Sequence, residues 1–303
     1  MTEIEVFVVG GVGLDTIVRV PELPLPVRDA VMVPPIEEHV GHTGNGVALG
    51  CHHLGLRTLF ADVIGADDLG RRILTGYQQV GLPFEYRTHP SGTRRAVNLV
   101  DKQGRRVSLY DGRHPFDMRV DPQLYRPGIE RARHVHVSIM NWARHALADA
   151  VAAGRGTSTD LHDWDGTADY HRDFAYGADI VFVSTAALGD RVDEVLRHVL
   201  DRGRARVAVA MAGADGSRLA VSGAPVQAVP AVTLPGRPVV DSNGAGDSYV
   251  AAFLHAVLRG ASWQRAAAAG SVAGAYACGT AGTHSSFIDA ERLHAALAAS
   301  ATR

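Results

Sequence analysis

Ile4 to Gly10 is a short, mostly apolar run that ends in Gly10-Gly11, the pattern of a buried strand entering a glycine turn. Two strand-like pieces follow, Ile17 to Val20 and Ala30 to Ile36, separated by Pro21, Pro24 and Pro26, which suit edge strands or a small flap rather than a central sheet. Ala48 to Leu54 reads as a helix and Thr58 to Ile64 as a strand. Asp67 to Val80 places Leu69, Ile73, Leu74 and Tyr77 at helical spacing. Thr93 to Val100 and Arg105 to Tyr110 predict a hairpin around Asp101-Lys102-Gln103-Gly104.

From Asp121 the rhythm is regular. Predicted strands His134 to Ser138, Thr157 to Leu161, Ile180 to Ser184 and Ala205 to Met211 alternate with helices near Ala143 to Ala153, Ala168 to Tyr176 and Arg191 to Leu200. That alternation predicts an α/β fold with a mostly parallel sheet covered on both faces. Arg218 to Val229 reads as antiparallel strands, and Ala245 to Arg259, Ser262 to Cys278 and Asp289 to Ala299 read as helices. The 303 residues suit one large domain over the whole chain. No run reaches the roughly 18 apolar residues of a membrane span, so none is expected.

Thirty basic against 32 acidic side chains leave a net charge of -2, which gives no bulk field for nucleic acid or an anionic membrane and points to a small-molecule partner. Cys51 and Cys278 are the only cysteines, too few for a disulfide framework or a four-thiolate zinc site. With no basic start followed by an apolar run, the expected location is the cytoplasm. Lys102 is the only lysine and sits in the hairpin turn, so a phosphate loop ending in Gly-Lys-Ser/Thr and a lysine Schiff base are both excluded.

The densest chemistry lies in Asp241-Ser242-Asn243-Gly244-Ala245-Gly246-Asp247, between a strand-like Pro238-Val239-Val240 and an alanine-rich helix. Gly244 and Gly246 permit close approach of a ligand, and the free amides of the first helical turn make an anion site. Asp247 stands in that same turn, where the helix dipole favours a carboxylate ready to accept a proton. A base beside a phosphate cradle is the arrangement phosphoryl transfer needs.

This segment resembles the Asp-Thr-x-Gly-Ala-Gly-Asp signature of the ribokinase-like carbohydrate kinases, the pfkB family. Gly10-Gly11-Val12-Gly13-Leu14-Asp15 is similar to the family's opening strand and substrate aspartate, and Gly41-His42-Thr43-Gly44-Asn45-Gly46 stands at its second glycine motif. The resemblance implies a mostly parallel sheet flanked by helices, with a small β-lid from about residues 16–40 and 93–112. It also implies ATP with Mg2+ and transfer of the γ-phosphoryl group to a hydroxyl. By position, Asp247 is the general base, and Gly244, Ala245 and Gly246 form the anion hole. Asp15, His42, Thr43, Gly44 and Asn45 hold the acceptor. Asp241 with the Asn243 carbonyl matches a monovalent-cation site, for which K+ is the candidate, and Gly213, Asp215 and Gly216 match the nucleotide loop. Lacking other lysines, the chain must meet the phosphoryl charge with metal, amides and arginine.

Two departures bear on the acceptor and the metal. His42 replaces the second glycine of the motif Gly-Gly-x-Gly-x-Asn, and the family's Asn-x-x-Glu falls at Ser184 to Ala187, where there is no carboxylate. After a predicted buried strand, Thr159 to Gly166 carries acids, His162 and Trp164 where ligands meet open α/β sheets, and Asn141-Trp142 is a second candidate contact. An indole beside polar groups suits a cyclic polyol. The family resemblance implies as acceptor a sugar, aminocyclitol or pseudo-oligosaccharide. Alternatives are a kinase for a simple sugar or nucleoside, and a non-catalytic binding protein of the same fold. A nicotinamide oxidoreductase fits poorly, because Gly11-Val12-Gly13-Leu14-Asp15-Thr16 lacks the third glycine of the dinucleotide fingerprint. The family resemblance implies that lid strands can pair into a homodimer, whereas the prolines of 21–26 equally suit a blunted edge in a monomer.

Overall fold

The computed structural model describes residues 3–301. Its main sheet has nine strands: β1 (Ile4–Val9), β4 (Thr58–Gly65), β5 (Phe84–His89), β8 (Ala132–Ser138), β9 (Gly156–Asp160), β10 (Ile180–Ser184), β11 (Val207–Met211), β12 (Ser217–Val221) and β13 (Gln227–Val229). They lie in the order β13-β12-β11-β10-β9-β8-β1-β4-β5, with every pair parallel from β11 to β5 and the β12 and β13 pairings antiparallel. All six residues of β1 and all eight of β4 are buried, which is why these strands read as mostly apolar runs rather than alternating ones.

A second, four-stranded sheet joins β3 (Glu37–Gly41), β2 (Gly13–Arg19), β6 (Arg95–Val100) and β7 (Arg106–Asp111) in that order. The β6 and β7 strands form the expected hairpin, while β2 and β6 run parallel, so the sheet is mixed.

Helices cover both faces of the main sheet. One layer holds α1 (Thr43–His53), α2 (Asp68–Val80), α7 (Ala245–Leu258), α8 (Trp263–Ala277) and α9 (Ala290–Ala301), whose buried side chains share a core with Val6, Phe60, Phe182 and Val209. The other holds α3 (Arg126–Arg131), α4 (Ala143–Ala152), α5 (Arg172–Gly177) and α6 (Val192–Arg202), packed on Phe7, Val135 and Val181. In α7 every residue from Asp247 to His255 is buried, the mark of a core helix with no solvent stripe. α2, by contrast, is amphipathic and capped at both ends: the Asp67 carboxylate accepts from the Gly70 amide at 2.8 Å, and Gly81 closes the helix at a φ of 71°.

Three expectations are corrected, and one strand is unforeseen. Pro238 to Val240 is not a strand, since Val239 is 77% exposed and the segment lies outside both sheets. Ala30 to Ile36 is not a strand: Met32 is 92% exposed, Pro34 and Pro35 remove donors, and pairing with β2 begins only at Glu37. The first helix starts at Thr43 rather than Ala48, because Gly44 and Gly46 are there for close packing despite their poor helix propensity. A Cβ on Gly44 would stand 1.8 Å from the Gly10 carbonyl oxygen. Phe84–His89 is a strand that its polar pattern hides, lying at the sheet edge against β4.

Connections leave β1 toward β4 on one side and β8 toward β9 on the other, so the order reverses between β1 and β8. In open α/β sheets the ligand crevice forms at the carboxyl ends of strands at such a point. Gly10-Gly11 and Asp160 end β1 and β9 at that crevice, and the glycine motifs that begin α1 and α7 meet there.

Candidate active site

The crevice is built around the first turn of α7. Gly244 precedes the helix at a φ of 75°, a left-handed conformation that turns the chain so that the helix N-terminus has no side-chain cap. Among the described residues the amides of Gly244, Gly246 and Asp247 have no hydrogen-bond partner, whereas the Ala245 amide donates to the Ser242 carbonyl at 3.3 Å. The expected anion hole thus keeps its glycine amides, and Ala245 is turned to the loop. Met211, the last residue of β11, lies 3.5 Å from where a Cβ on Gly246 would stand. The turn Gly213–Asp215, with Gly213 and Gly216 at positive φ and Asp215 exposed, therefore begins beside the α7 N-terminus.

Asp247 is 7% exposed and its Oδ2 lies 2.6 Å from Nε2 of His284, a residue of the loop after α8. His284 Nδ1 in turn receives Nδ2 of Asn45 at 2.9 Å. Asn45 is fully buried and committed: Nδ2 also donates to the Val40 carbonyl at 3.1 Å, and Oδ1 accepts from the Tyr77 hydroxyl at 2.7 Å. Asn45 consequently supports the site rather than offering its amide to a ligand.

On the opposite wall, β2 presents Asp15 and the start of α1 presents His42. Burial pushes the Asp15 carboxyl up, and the Asp247 charge adds to it. Burial drives His42 down to about 3, so the imidazole is neutral and the 3.4 Å approach of its Nε2 to Asp15 Oδ1 is not an ion pair. Neither His42 ring nitrogen has a hydrogen-bond partner among the described residues, and the ring stands 5.5 Å from that of Tyr110 on β7. Thr43 Oγ1 lies 3.3 Å from Nε2 of His162, whose backbone is held at a φ of 55° by its amide donating to Asp160. Burial also raises Asp160, with Asp247 contributing.

The aromatic face expected of the Thr159 to Gly166 loop is absent. Trp164 is 1% exposed, belongs to the core under α5 and α6, and donates Nε1 to the Ala168 carbonyl at 3.1 Å. Trp142 is buried in the same core, and the Asn141 amide donates to the Phe116 carbonyl. His134 and His136 on β8 share the Ser158 hydroxyl at 2.7 and 2.9 Å deep in the sheet, a structural pair.

Two arginines enter from the small sheet. Arg19 reaches Asp241 Oδ2 at 3.0 Å, and Arg106 reaches Asn243 Oδ1 at 2.7 Å. Asp241 also accepts from the Asn243 amide at 3.0 Å and the Gly282 amide at 3.2 Å. A guanidinium thus occupies the carboxylate expected to bind K+, and the residues present do not fit a monovalent cation there. Magnesium is a different matter. Ser184, where the family carboxylate motif falls, only caps its own turn through Ala186, and among the described residues no three His, Cys, Asp or Glu side chains form a cage. Sequence reasoning missed Arg19, Arg106, Tyr77, Asp160 and His284. The three acids of the loop signalled Asp160, but nothing near His284 did.

This fold and site define a phosphotransferase, and the match extends along the chain: residues 4–290 fit the pfkB family carbohydrate kinase model, and the protein belongs to that family. As a kinase of this family it uses ATP, typically with Mg2+. It is 44% identical over 290 residues to acarbose 7(IV)-phosphotransferase of Actinoplanes sp. SE50/110, covering 95% of this chain and 97% of that one. The solved structure of the microbiome-derived acarbose kinase Mak1 is 61% identical, with a TM-score of 0.92 over 98% of this chain and 100% of that one. Arabidopsis thaliana ribokinase, complexed with ribose and ATP, shares the fold at a TM-score of 0.80 and 18% identity, over 98% and 99% of the two chains. No helix among the described residues is long and apolar enough to cross a membrane.

Proposed function

We propose that this kinase transfers the γ-phosphoryl group of ATP to a hydroxyl of acarbose or a closely similar pseudo-oligosaccharide, with Asp247 as the base. The observation that carries the reading is Asp247 in the first turn of α7, beside unbonded glycine amides and facing the Asp15 and His42 wall. Asp247 takes the proton of the acceptor hydroxyl as its oxygen bonds to the γ-phosphorus and the bond to the β-phosphate oxygen breaks, releasing ADP. The Gly244 and Gly246 amides receive the phosphoryl oxygens, and the turn at Gly213 to Gly216 borders the rest of the nucleotide. Bound with ATP, magnesium would neutralise part of the phosphate charge. Arg106, on the Asn243 side chain at the mouth of this loop, supplies the cation that a lysine would supply elsewhere.

Asp15, charged or neutral, and the neutral imidazole of His42 give a hydroxyl-rich ligand both acceptors and a donor. The small sheet acts as the lid over it. Similarity to two acarbose kinases supports the acceptor class. So does an open pocket of about 630 Å³ along β7, where the exposed ring of Tyr110 stands beside Arg95, Ser108, Asp111 and Arg113, a surface on which further sugar rings can stack and hydrogen-bond.

An ADP-release assay over acarbose, maltotriose, ribose and a nucleoside tests the acceptor. We expect kcat/KM for acarbose about 100-fold or more above that for ribose or the nucleoside. Equal or reversed values would remove the pseudo-oligosaccharide. In the same assay, replacing K+ by tetramethylammonium should change kcat by less than about twofold, because Arg19 already neutralises Asp241. A loss of about tenfold would show that a cation displaces the guanidinium.

A further inference from the structure

His284 belongs to no motif, yet it is wedged between the two glycine motifs of the site. A Cβ on Gly46 would lie 2.2 Å from its Nε2, and a Cβ on Gly244 would lie 2.6 Å from its Cδ2, so both glycines leave the room this ring fills. Its backbone has a φ of 56°, a left-handed conformation that a residue other than glycine keeps only when its surroundings impose it. The imidazole is buried, with 1% of the side chain exposed.

The hydrogen bonds fix its tautomer. Asn45 must aim Nδ2 at the Val40 carbonyl, because the flipped amide would set oxygen against oxygen, and its Oδ1 is already taken by the Tyr77 hydroxyl. The second Nδ2 hydrogen then points at His284 Nδ1, which has to accept. The ring proton of the neutral imidazole is therefore on Nε2, facing Asp247 Oδ2 at 2.6 Å.

We propose that His284 is a positioning residue that locks the rotation of the Asp247 carboxylate, reserving Oδ1 for the acceptor hydroxyl, and that it couples the base to α1 and α2 through Asn45 and Tyr77. The inference rests on Asp247 being the base. A carboxylate free to rotate would spend part of its time with neither oxygen aligned on the hydroxyl proton, a loss that falls on turnover rather than on binding.

The test compares His284→Ala and His284→Gln, with Asp247→Asn in parallel, measuring kcat, both KM values and the melting temperature. His284→Ala should lower kcat by about 10- to 100-fold with KM for ATP within about twofold. His284→Gln should keep at least about a third of kcat, because its Oε1 can accept from Asn45 while its Nε2 donates to Asp247. Should the alanine variant fail to fold, His284→Asn takes its place with the same expected loss, since its shorter amide spans only one partner. The inference is overturned if the alanine variant keeps kcat within about twofold, if a folded glutamine variant falls as far as alanine, or if only KM changes. Near-normal turnover of Asp247→Asn would instead remove the base itself, whereas a crippled Asp247→Asn beside a normal His284→Ala would remove only the role of His284.

Discussion

Asp247→Asn should lower kcat by about a hundred- to ten-thousand-fold while leaving the affinity for ATP within about threefold. The substitution keeps the shape of the side chain and can still meet His284, but an amide cannot take the acceptor proton. In the proposed site the nucleotide phosphates meet the unbonded amides of Gly244 and Gly246, which the change does not touch. Single-turnover rates together with nucleotide titration check both halves of the expectation. A variant that lost ATP binding in proportion to turnover would mean that residue 247 serves the cradle rather than the proton.

The second large effect concerns the joint between the two sheets. Arg94 and Asp62 form an ion pair with side chains 2% and 0% exposed. Arg94 Nε donates to the Val12 carbonyl just before β2, and Nη2 to the Val63 carbonyl on β4, while the Val12 amide donates to Asp62 at 2.7 Å. One guanidinium thereby fastens the entry to β2 onto the main sheet immediately before β6 begins. Arg94→Met leaves a carboxylate in the core without its counter-charge and should cost about 3–5 kcal/mol of stability. At roughly 2–4 °C per kcal/mol for a chain approaching this size, the melting temperature should fall by on the order of 10 °C. Adding Asp62→Asn to the same chain removes the stranded charge and should recover part of the loss. If the double variant is less stable than Arg94→Met alone, the charge is not what destabilises it.

How far the sequence carries depends on where each residue's partner lies. The parallel strands are legible because both of their faces are buried, so β1 and β4 are mostly apolar, with Glu5, Thr58 and Asp62 the polar exceptions. The glycine motifs are legible because close approach at Gly44 and the turn at Gly244 exclude side chains. β3 is hidden because Glu37, Glu38 and His39 are polar and only partly covered, and the apolar residues just before them face solvent. Trp164 misleads because an indole in a polar loop looks the same in one dimension whether it faces a ligand or the core. His284, Arg19 and Arg106 are out of reach for another reason. Each lies outside any motif, and its partner lies 37, 222 or 137 positions away, so only the folded crevice brings the pairs together. The expected K+ site fails on the same ground, since the cation at Asp241 is a side chain from the other sheet.

The proposed reaction is tested most directly by incubating the purified protein with ATP, Mg2+ and acarbose and following both products, ADP by coupled assay and the saccharide by mass spectrometry and phosphorus NMR. One phosphate monoester on acarbose is expected for each ADP released, with both abolished together in Asp247→Asn. ADP formed while the saccharide stays unmodified, or a phosphorylated product made equally well by Asp247→Asn, would contradict it.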